Sequence, residues 1–429
     1  MRVVILGGGY SSIWCYRALR RWMGASADIT VVAPFSDHVF HGWTAEVLDG
    51  DLDPSLQASP LTECVPKAER VRGWATRVDP QRREVEVEWR GERTVVAYDQ
   101  LVVATGAQDR TAPVPGMAEH GWPLRFPGQV EELLGHLAGL EAGPAADAVE
   151  QRRRSTIVVV GAGFAGTEAA AALGRRYGDS RRVVLVSSTS AVVPLWQDQA
   201  RLQERLLRNL ADAGVEVLTD TRVAEVDPRG VRFGDGSRIE AATIVSAIGN
   251  SVSVLPGLER FQDPEGLLAV DDCLRVTDGV WSAGDVAAVR SRGARAPKEA
   301  LWAIRAGTTV GRNIARTARR AAPRRFGFRG LGTVAAFAPG RSVATIWGVQ
   351  LPEAVGWLVR GAFFLWYVPS RRTAAKIVRA GLRPSTRALR ADTAPIRVVR
   401  PALVGLEGGV TSADRLRAVG ASEPVRRGA

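Results

Sequence analysis

A glycine-rich motif directly after a buried apolar segment constrains the fold of this chain more than any other feature. The segment from Ile157 to Glu168 reads IVVVGAGFAGTE, and its first four residues are typical of a strand buried on both faces. Gly161, Gly163 and Gly166 then form a Gly-x-Gly-x-x-Gly turn before an alanine-rich helix. In this context the turn predicts a dinucleotide site, because free N–H groups at the start of the helix bind a pyrophosphate.

A second copy of the motif lies at the N-terminus, where Val3–Ser12 reads VVILGGGYSS. Gly7 and Gly9 take the first two glycine positions, and Ser12 replaces the third glycine with another small side chain. Two such turns predict two nucleotide-binding domains, one for a flavin dinucleotide and one for a nicotinamide dinucleotide. We therefore expect an α/β fold with two Rossmann-like dinucleotide-binding domains, for FAD and for NAD(P)H, and a smaller C-terminal α+β region.

The motifs and the changes in composition divide the chain into parts. Pro113–Pro127 is rich in proline and is expected to be a linker, whereas the end of the chain lacks any periodicity. The predicted parts are a first FAD-binding segment (1–115), a linker with a helix (116–154), the NAD(P)H-binding domain (155–250), a second FAD-binding segment (251–322), a C-terminal domain with amphipathic helices (323–392) and a loose tail (393–429).

Composition narrows the range of functions. The net charge of +12 comes mostly from Arg in an Arg- and Ala-rich chain, so it is weak evidence for nucleic-acid binding, which we do not expect. Cys15, Cys64 and Cys273 are too far apart for a closely spaced redox disulfide or a cysteine-rich metal site, and no metal is expected. No apolar run reaches the ~18–20 residues that span a bilayer. Because a strand is predicted at Arg2–Leu6, we expect no signal peptide and a cytoplasmic protein.

Both ribose positions depart from the dinucleotide-binding pattern. An acid is expected after the second strand of each unit, but Ala33 follows Ile29–Val32 and Ser187 follows Arg182–Val186. Asp37 is a candidate substitute in the first unit. The hydroxyl cluster that begins at Ser187 can hydrogen-bond a 2′-phosphate, although no arginine follows it at once. The sequence therefore leaves NADH and NADPH as alternatives.

Three further strand ends are candidate parts of the binding sites. Thr105 and Gly106 close an apolar strand where the chain crosses back near the first dinucleotide. Gly249 closes another apolar strand in the second unit. Gly284 and Asp285 follow a third strand, so this carboxylate would face the ribityl chain of FAD.

The C-terminal part contains two segments of contrasting composition. Ala354–Val368 is apolar and aromatic with one Arg, whereas Ser370–Arg390 is basic and contains no acid. This combination is typical of an element that lies on a membrane surface. The alternative is a core helix or a homodimer interface with a solvated basic helix behind it.

The order of these motifs resembles that of the two-dinucleotide flavoprotein reductases, the pyridine nucleotide–disulfide oxidoreductase-like group, over about residues 1–320. The segments HVFH, GAGFAGTE and GWLVRGAFFLWYV are, within that group, similar to type II NADH:quinone dehydrogenases. The resemblance implies non-covalent FAD, hydride transfer from NAD(P)H to the flavin, and reduction of a quinone on the inner surface of the cell membrane. It also implies that Glu168 lies near the flavin and the nicotinamide.

Motifs and resemblance together assign candidate residues. The cofactor-binding candidates are Gly7, Gly9, Ser12, Thr105, Gly106, Gly284 and Asp285 for FAD, and Gly161, Gly163, Gly166, Ser187 and Gly249 for the nicotinamide dinucleotide. The catalytic candidates are Glu168 and Lys298. Glu168 is interpreted either as a proton relay or as a salt-bridged helix residue.

The residues expected to bind the electron acceptor depart from the resemblance. A helix is expected from Pro297 to Ile314, closed near Gly311–Asn313. The resemblance predicts a quinone motif there, AQ followed by a second Gln, but the segment PKEALWAIRAG contains no Gln. Lys298 and Trp302 could instead line a pocket for another small acceptor. Two other functions stay open: a flavoprotein that modifies a small organic metabolite, and a degenerate nucleotide-binding protein without turnover.

Overall fold

The computed structural model describes residues 1–143 and 145–381, so the predicted tail and the basic residues 382–390 lie outside the described residues. The helices in this part of the chain are α1 (Tyr10–Met23), α2 (Thr44–Asp49), α3 (Leu61–Cys64), α4 (Met117–His120), α5 (Gln129–Glu141), α6 (Ala148–Arg154), α7 (Phe164–Tyr177), α8 (Ala200–Asp212), α9 (Ala300–Ala318), α10 (Glu353–Tyr367) and α11 (Arg371–Gly381). Short 3₁₀ helices lie at Gly24–Ser26, His41–Trp43, Pro54–Leu56, Pro194–Trp196 and Glu259–Phe261.

A parallel sheet is built around the N-terminal strand. Its described strands, in order across the sheet, are Arg275–Thr277, Val280–Ser282, Gln100–Val103, Arg2–Leu6, Asp28–Ala33 and Glu69–Arg72, with only the first of these antiparallel to its neighbour. Val3 and Ile5 pack into the core shared with α1 and α9, whereas Val4 and Leu6 pack into a second core on the opposite face. The strand is apolar throughout because both of its faces are covered.

A second parallel sheet contains the central glycine motif. Its described strands, in order, are Gly121–Trp122, Thr243–Ser246, Thr156–Val160, Arg182–Val186 and Val215–Leu218. Ile157 and Val159 face one core, and Val158 and Val160 face another. The two parallel sheets with their helices confirm the predicted α/β fold class, while the exact domain limits stay a prediction.

Smaller antiparallel sheets complete the described part. Three-stranded sheets are formed by Trp74–Asp79, Glu84–Trp89 and Glu92–Ala97, by Val223–Asp227, Gly230–Phe233 and Arg238–Glu240, and by Gly332–Ala338, Arg341–Ile346 and Val349–Gln350. Two-stranded pairs join Asp37–Val39 to Ala58–Pro60, Gln108–Asp109 to Asn250–Ser251, and Arg290–Ser291 to Ala294–Arg295.

The segment Pro113–Pro127 is more than the linker that its composition predicts. It contains α4 and the strand Gly121–Trp122, which pairs in parallel with Thr243–Ser246 at the edge of the second sheet. The prediction missed this strand because proline and glycine mark loops locally. The pairing depends on a partner strand far along the chain.

Two glycines of α9 let this helix pack closely against α1, and the two helices run in the same direction. A Cβ at Gly307 would overlap the backbone carbonyl of Ser11, and a Cβ at Gly311 would lie 2.6 Å from the carbonyl oxygen of Cys15. The predicted end of this helix near Gly311 was wrong, because glycine serves here for close packing and α9 continues to Ala318. Because Gly307 lies against Ser11 at the start of α1, the first turns of α9 extend beyond that start.

The C-terminal part packs α10 on the sheet that begins at Gly332. Gly356 permits close approach, since a Cβ there would lie 2.5 Å from Ser342 Oγ. The same hydroxyl donates a hydrogen bond to the carbonyl oxygen of Glu353 at 2.7 Å. Every helix within residues 1–143 and 145–381 is too short or too polar to cross a membrane.

Replacing Gly307 by valine should lower the free energy of unfolding by about 1–3 kcal/mol, because the new side chain would push the backbones of α1 and α9 apart. Denaturant unfolding measures this change. Gly139→Ala in α5 is the control, since a Cβ at Gly139 meets nothing within 4 Å. It should raise stability by about 0.5–1 kcal/mol. Equal stability of Gly307→Val and wild type would contradict the packing argument.

Candidate active site

The first glycine turn lies at the carboxyl end of the strand Arg2–Leu6. Gly7 has a φ of +110°, and a Cβ there would overlap the carbonyl oxygen of Ala104. Gly9 caps the start of α1 without a side-chain hydrogen bond, and nothing lies within 4 Å of where its Cβ would be. Ser12 is buried beneath the turn, as its small side chain allows. The first N–H groups of α1 face open space that fits the pyrophosphate of FAD.

The second turn repeats this geometry. Gly161 has a φ of +107°, and a Cβ there would overlap the carbonyl oxygen of Ala247. Gly163 caps α7 without a side-chain hydrogen bond and also faces open space. A Cβ at Gly166 would overlap the carbonyl oxygen of Gly161, so only glycine lets α7 start this close to the strand. The second turn therefore fits the pyrophosphate of a nicotinamide dinucleotide.

Other predicted FAD residues come together at the first turn. Thr105 and Gly106 directly follow the residue that Gly7 contacts, and Gly106 has a φ of +70° with open space around its Cβ position. A Cβ at Gly284 would overlap Ser11 Oγ, which places the Gly284–Asp285 turn against the start of α1. Three segments that are distant in the chain thus meet at one edge of the first sheet.

An arginine that the sequence did not single out lies between two acids at this edge. Nε of Arg125 is 3.7 Å from Oδ1 of Asp109, and its Nη1 is 3.9 Å from Oδ2 of Asp285. Nε of Arg125 and Oδ2 of Asp109 are buried without a hydrogen-bond partner among the described residues. Burial raises the pKa of Asp109 to about 6 and raises the pKa of Asp285, while Arg125 acts in the opposite direction. No motif marks Arg125, because it lies in the segment predicted as a linker.

The HVFH segment packs on the first turn. Nδ1 of His38 lies 3.1 Å from the carbonyl oxygen of Gly8, and the hydroxyl of Tyr10 accepts the backbone N–H of His41 at 3.2 Å. Burial lowers the pKa of His38 to about 4, so this ring is neutral at pH 7, whereas His41 is exposed. Within the described ranges no group of three His, Cys, Asp or Glu side chains could hold a metal ion. The segment places the uncharged ring of His38 beside the first turn.

Glu168 lies in a charged cluster that joins three helices. The backbone N–H of Ala336 donates to Oε1 of Glu168 at 2.8 Å, and Nη2 of Arg360 lies 3.7 Å from the same oxygen. Arg360, on α10, also forms an ion pair with Glu46 of α2. Burial raises the pKa of Glu168, although Arg360 and the N–H of Ala336 act in the opposite direction. The side chain of Glu168 is 21% exposed, so solvent reaches this carboxylate.

Lys298 and Trp302 line a cavity of ≈ 260 Å³ that Asp285 and Glu299 also border. Lys298 is exposed and makes no hydrogen bond or ion pair with another described residue. Trp302 is held edge-on against Phe328, with ring centroids 4.8 Å apart. Burial raises the pKa of Glu299. The structure therefore brings Lys298 into one cavity with the predicted FAD ligand Asp285.

At the second ribose position two of the four hydroxyls, those of Ser187 and Thr189, are bonded to their own loop. Oγ of Ser187 and Oγ1 of Thr189 both donate to the carbonyl oxygen of Ala191, at 2.9 and 3.1 Å. Gly249 has a φ of +95° and open space around its Cβ position. It follows the strand Thr243–Ser246, whose carboxyl end lies at the same edge of the sheet as the second glycine turn.

Comparison with known proteins identifies the family. Residues 1–307 match the family model of the pyridine nucleotide-disulphide oxidoreductases. The chain belongs to this family. It is 34% identical over 310 residues to an NADH dehydrogenase-like protein of Mycobacterium tuberculosis, which covers 67% of this chain and 73% of that protein. It is 26% identical over 403 residues to the type II NADH:quinone oxidoreductase of Staphylococcus haemolyticus, covering 89% of this chain and 97% of that protein.

Solved structures share the fold of this chain. NDH2 from Plasmodium falciparum in complex with NADH matches with a TM-score of 0.80 at 13% identity, over 89% of this chain and 97% of that chain. The water-forming NADH oxidase from Lactobacillus brevis matches with a TM-score of 0.65 at 20% identity, over 80% and 74%. As a pyridine nucleotide-disulphide oxidoreductase family member, this protein is an FAD-dependent NAD(P)H oxidoreductase, which confirms the predicted enzyme class and cofactors. The roles of individual site residues stay predictions.

Asp109 should make stability depend on pH. Burial raises the pKa of this acid from 3.8 to about 6, so its contribution to folding is largest below pH ~4 and falls as the pH rises towards 6. Asp109→Asn stays neutral, and its free energy of unfolding relative to wild type should rise across this window by at most roughly 3 kcal/mol. Urea unfolding between pH 4 and 7 measures the difference.

Asp227→Asn provides a control of opposite sign. Asp227 pairs with Arg238 at 2.6 Å, which holds its pKa below the usual range, so its replacement should destabilise the protein near neutral pH. A difference for Asp109→Asn that does not change with pH would contradict the raised pKa.

Proposed function

We propose that this protein transfers electrons from NADH through FAD to a quinone at the surface of a membrane. The observation that carries the proposal is the Glu168–Arg360–Glu46 cluster, which joins the nucleotide-binding helix α7 directly to the exposed C-terminal helix α10. Relatives named type II NADH:quinone oxidoreductases, which cover most of this chain, support the same acceptor. When bound, FAD accepts a hydride from the nicotinamide and passes the electrons on to the acceptor.

The second ribose position favours NADH over NADPH. The hydroxyl protons of Ser187 and Thr189 are already donated to the carbonyl oxygen of Ala191, so they are not available for a 2′-phosphate. The loop Ser187–Ser190 also lacks a cation, and phosphate recognition relies on charged donors such as Arg. A 2′-hydroxyl needs neither of these.

On helix α10 an arginine is buried while apolar side chains are exposed, which supports membrane contact. Its Arg360 is only 3% exposed, whereas Leu358 is 61% and Trp366 is 81% exposed. We define the apolar surface as the exposed side chains of α10 and the adjacent sheet: Val355, Leu358, Val359, Trp366, Trp347 and Val349. Cations of α11 lie on the next helix: Arg371, Arg372, Lys376 and Arg379. Exposed apolar side chains beside cations suit an anionic lipid surface.

Glu168 is the proposed source of a proton. NADH supplies a hydride, so the formation of a quinol from a quinone needs one further proton. Burial raises the pKa of Glu168, which favours a carboxyl group that carries this proton, and Arg360 keeps the side chain in position. The same contact links the proton-holding group to α10 and therefore to the apolar surface.

An anaerobic spectrum of the purified protein tests the donor. NADH should bleach the flavin absorption at least tenfold faster than NADPH, because the loop at Ser187 offers no cation to a 2′-phosphate. Glu168→Gln should keep this bleaching but reduce quinone reduction about 10²-fold or more, as expected for loss of a general acid. Glu216→Gln, in an exposed ion pair with Arg182, is the control and should change neither step.

Three results would contradict this function. Equal bleaching by NADPH would contradict the choice of NADH. Equal loss of both steps in Glu168→Gln would contradict the proton role. Reoxidation of the flavin by a small metabolite but not by a quinone would favour the metabolite-modifying alternative.

The proposed membrane contact of α10 leads to a separate prediction for vesicle binding. The double variant Leu358→Ser/Trp366→Ser should bind vesicles of phosphatidylglycerol at least about tenfold more weakly, because two apolar side chains no longer enter the lipid. Its flavin should still be bleached by NADH. Trp22→Ser, which removes an exposed tryptophan of α1, is the control in cosedimentation. Unchanged vesicle binding, or dimer formation through this surface without lipid binding, would contradict the proposal.

A further inference from the structure

The first dinucleotide site lacks the acid that holds an adenosine ribose in this fold. Ala33 occupies that position: its Cβ lies 3.5 Å from where a Cβ on Gly8 would be. The candidate substitute Asp37 already accepts a hydrogen bond from the hydroxyl of Ser36 at 2.8 Å. Binding of the adenosine half of FAD therefore needs a different contact.

Three aromatic side chains from separate segments meet at this position. The rings of Phe35 and Trp74 are 5.9 Å apart and edge-on, and those of Phe35 and Phe126 are 5.3 Å apart and tilted by 33°. All three side chains are partly buried, yet none belongs to a hydrophobic core of the described part of the chain. We call them the aromatic wall. Core packing does not explain it, and each ring leaves surface that a planar ligand can cover.

Backbone contacts place the aromatic wall at the FAD site. The N–H of Gly73, directly before Trp74, donates to the carbonyl oxygen of Ala33 at 3.1 Å. Phe35 lies two residues after Ala33. Arg125, directly before Phe126, has its guanidinium 3.9 Å from the carboxylate of Asp285. The wall thus borders both the ribose position and the predicted ribityl ligand.

The indole of Trp74 supplies an unused hydrogen-bond donor. Its Nε1 is buried and has no partner within the described ranges. A buried donor without an acceptor is unfavourable, so a ligand that brings an acceptor would be stabilised there. The ring nitrogens of adenine are such acceptors, and its flat face suits stacking on aromatic rings.

We propose that Phe35, Trp74 and Phe126 bind the adenine of FAD and replace the missing ribose carboxylate. The proposal rests on FAD being the cofactor of the first domain. Recognition then depends on the adenine ring, whereas the hydroxyls of its ribose contribute little. Stacking of one base on one aromatic side chain corresponds to about 5- to 150-fold in affinity.

Binding of flavins to the purified protein tests the aromatic wall without any turnover. Fluorescence of free flavin on serial dilution of the holoprotein gives Kd for FAD and, after exchange, for FMN, which lacks adenosine. Phe35→Leu should weaken FAD binding by about tenfold or more and leave FMN binding within about twofold. Trp74→Phe keeps a ring and removes the N–H, and should weaken FAD binding by about two- to tenfold. Phe261→Leu is the control and should change neither Kd, because this partly buried ring packs against a core that contains none of the wall residues.

FAD that carries 2′-deoxyribose on its adenosine provides a second probe. Wild type should bind it with a Kd within about twofold of that for FAD, since no carboxylate holds this ribose. A Phe35→Leu variant with unchanged FAD affinity, an equal loss of FAD and FMN affinity, or a tenfold loss for the deoxy compound would each overturn the proposal. Wild-type protein that holds no FAD would overturn the cofactor itself, which is seen before any variant is made.

Discussion

Both nucleotide sites depend on one close contact, in which a glycine at the end of a central strand lies against the carbonyl oxygen that ends the neighbouring strand. Gly7 makes this contact with Ala104, and Gly161 makes it with Ala247. A side chain at either glycine would move the turn away and lift the following helix from the sheet. The helix starts, with their free N–H groups, are therefore held at the strand ends where phosphates bind. Gly307 extends the same principle to α9, which can lie against α1 only without a side chain.

A buried arginine connects these sites with the C-terminal surface. Burying a guanidinium is costly unless it is paired, and Arg360 is paired with Glu46, lies 3.7 Å from Glu168, and donates to the carbonyl oxygen of Gly42 at 2.8 Å. Helix α10 cannot shift without leaving two carboxylates without their cation. The position of α10 and the environment of the Glu168 carboxylate are thereby physically coupled.

The departures from the dinucleotide pattern have structural counterparts elsewhere in the fold. Ala33 lacks the carboxylate that the pattern has at its position, and the aromatic rings beside it offer a different kind of contact. Ser187 also lacks the carboxylate that the pattern has at its position, and its hydroxyl donates a hydrogen bond within its own loop. At the start of α9, where no glutamine is present, Lys298 and Trp302 line a cavity. The two glycine turns, by contrast, have the geometry that the dinucleotide pattern predicts.

The sequence by itself determined the two glycine turns, the parallel α/β fold and the class of cofactor, because these depend on residue types at short, fixed spacings. It also marked Ala33 as a departure, since an expected acid is missing from a known position. Only the tertiary structure decided that Arg125 lies beside Asp285, that Arg360 reaches Glu168, and that a two-residue strand at Gly121 joins the second sheet. These contacts join segments far apart in the chain. Local pattern does not encode them, because they depend on how whole sheets and helices pack.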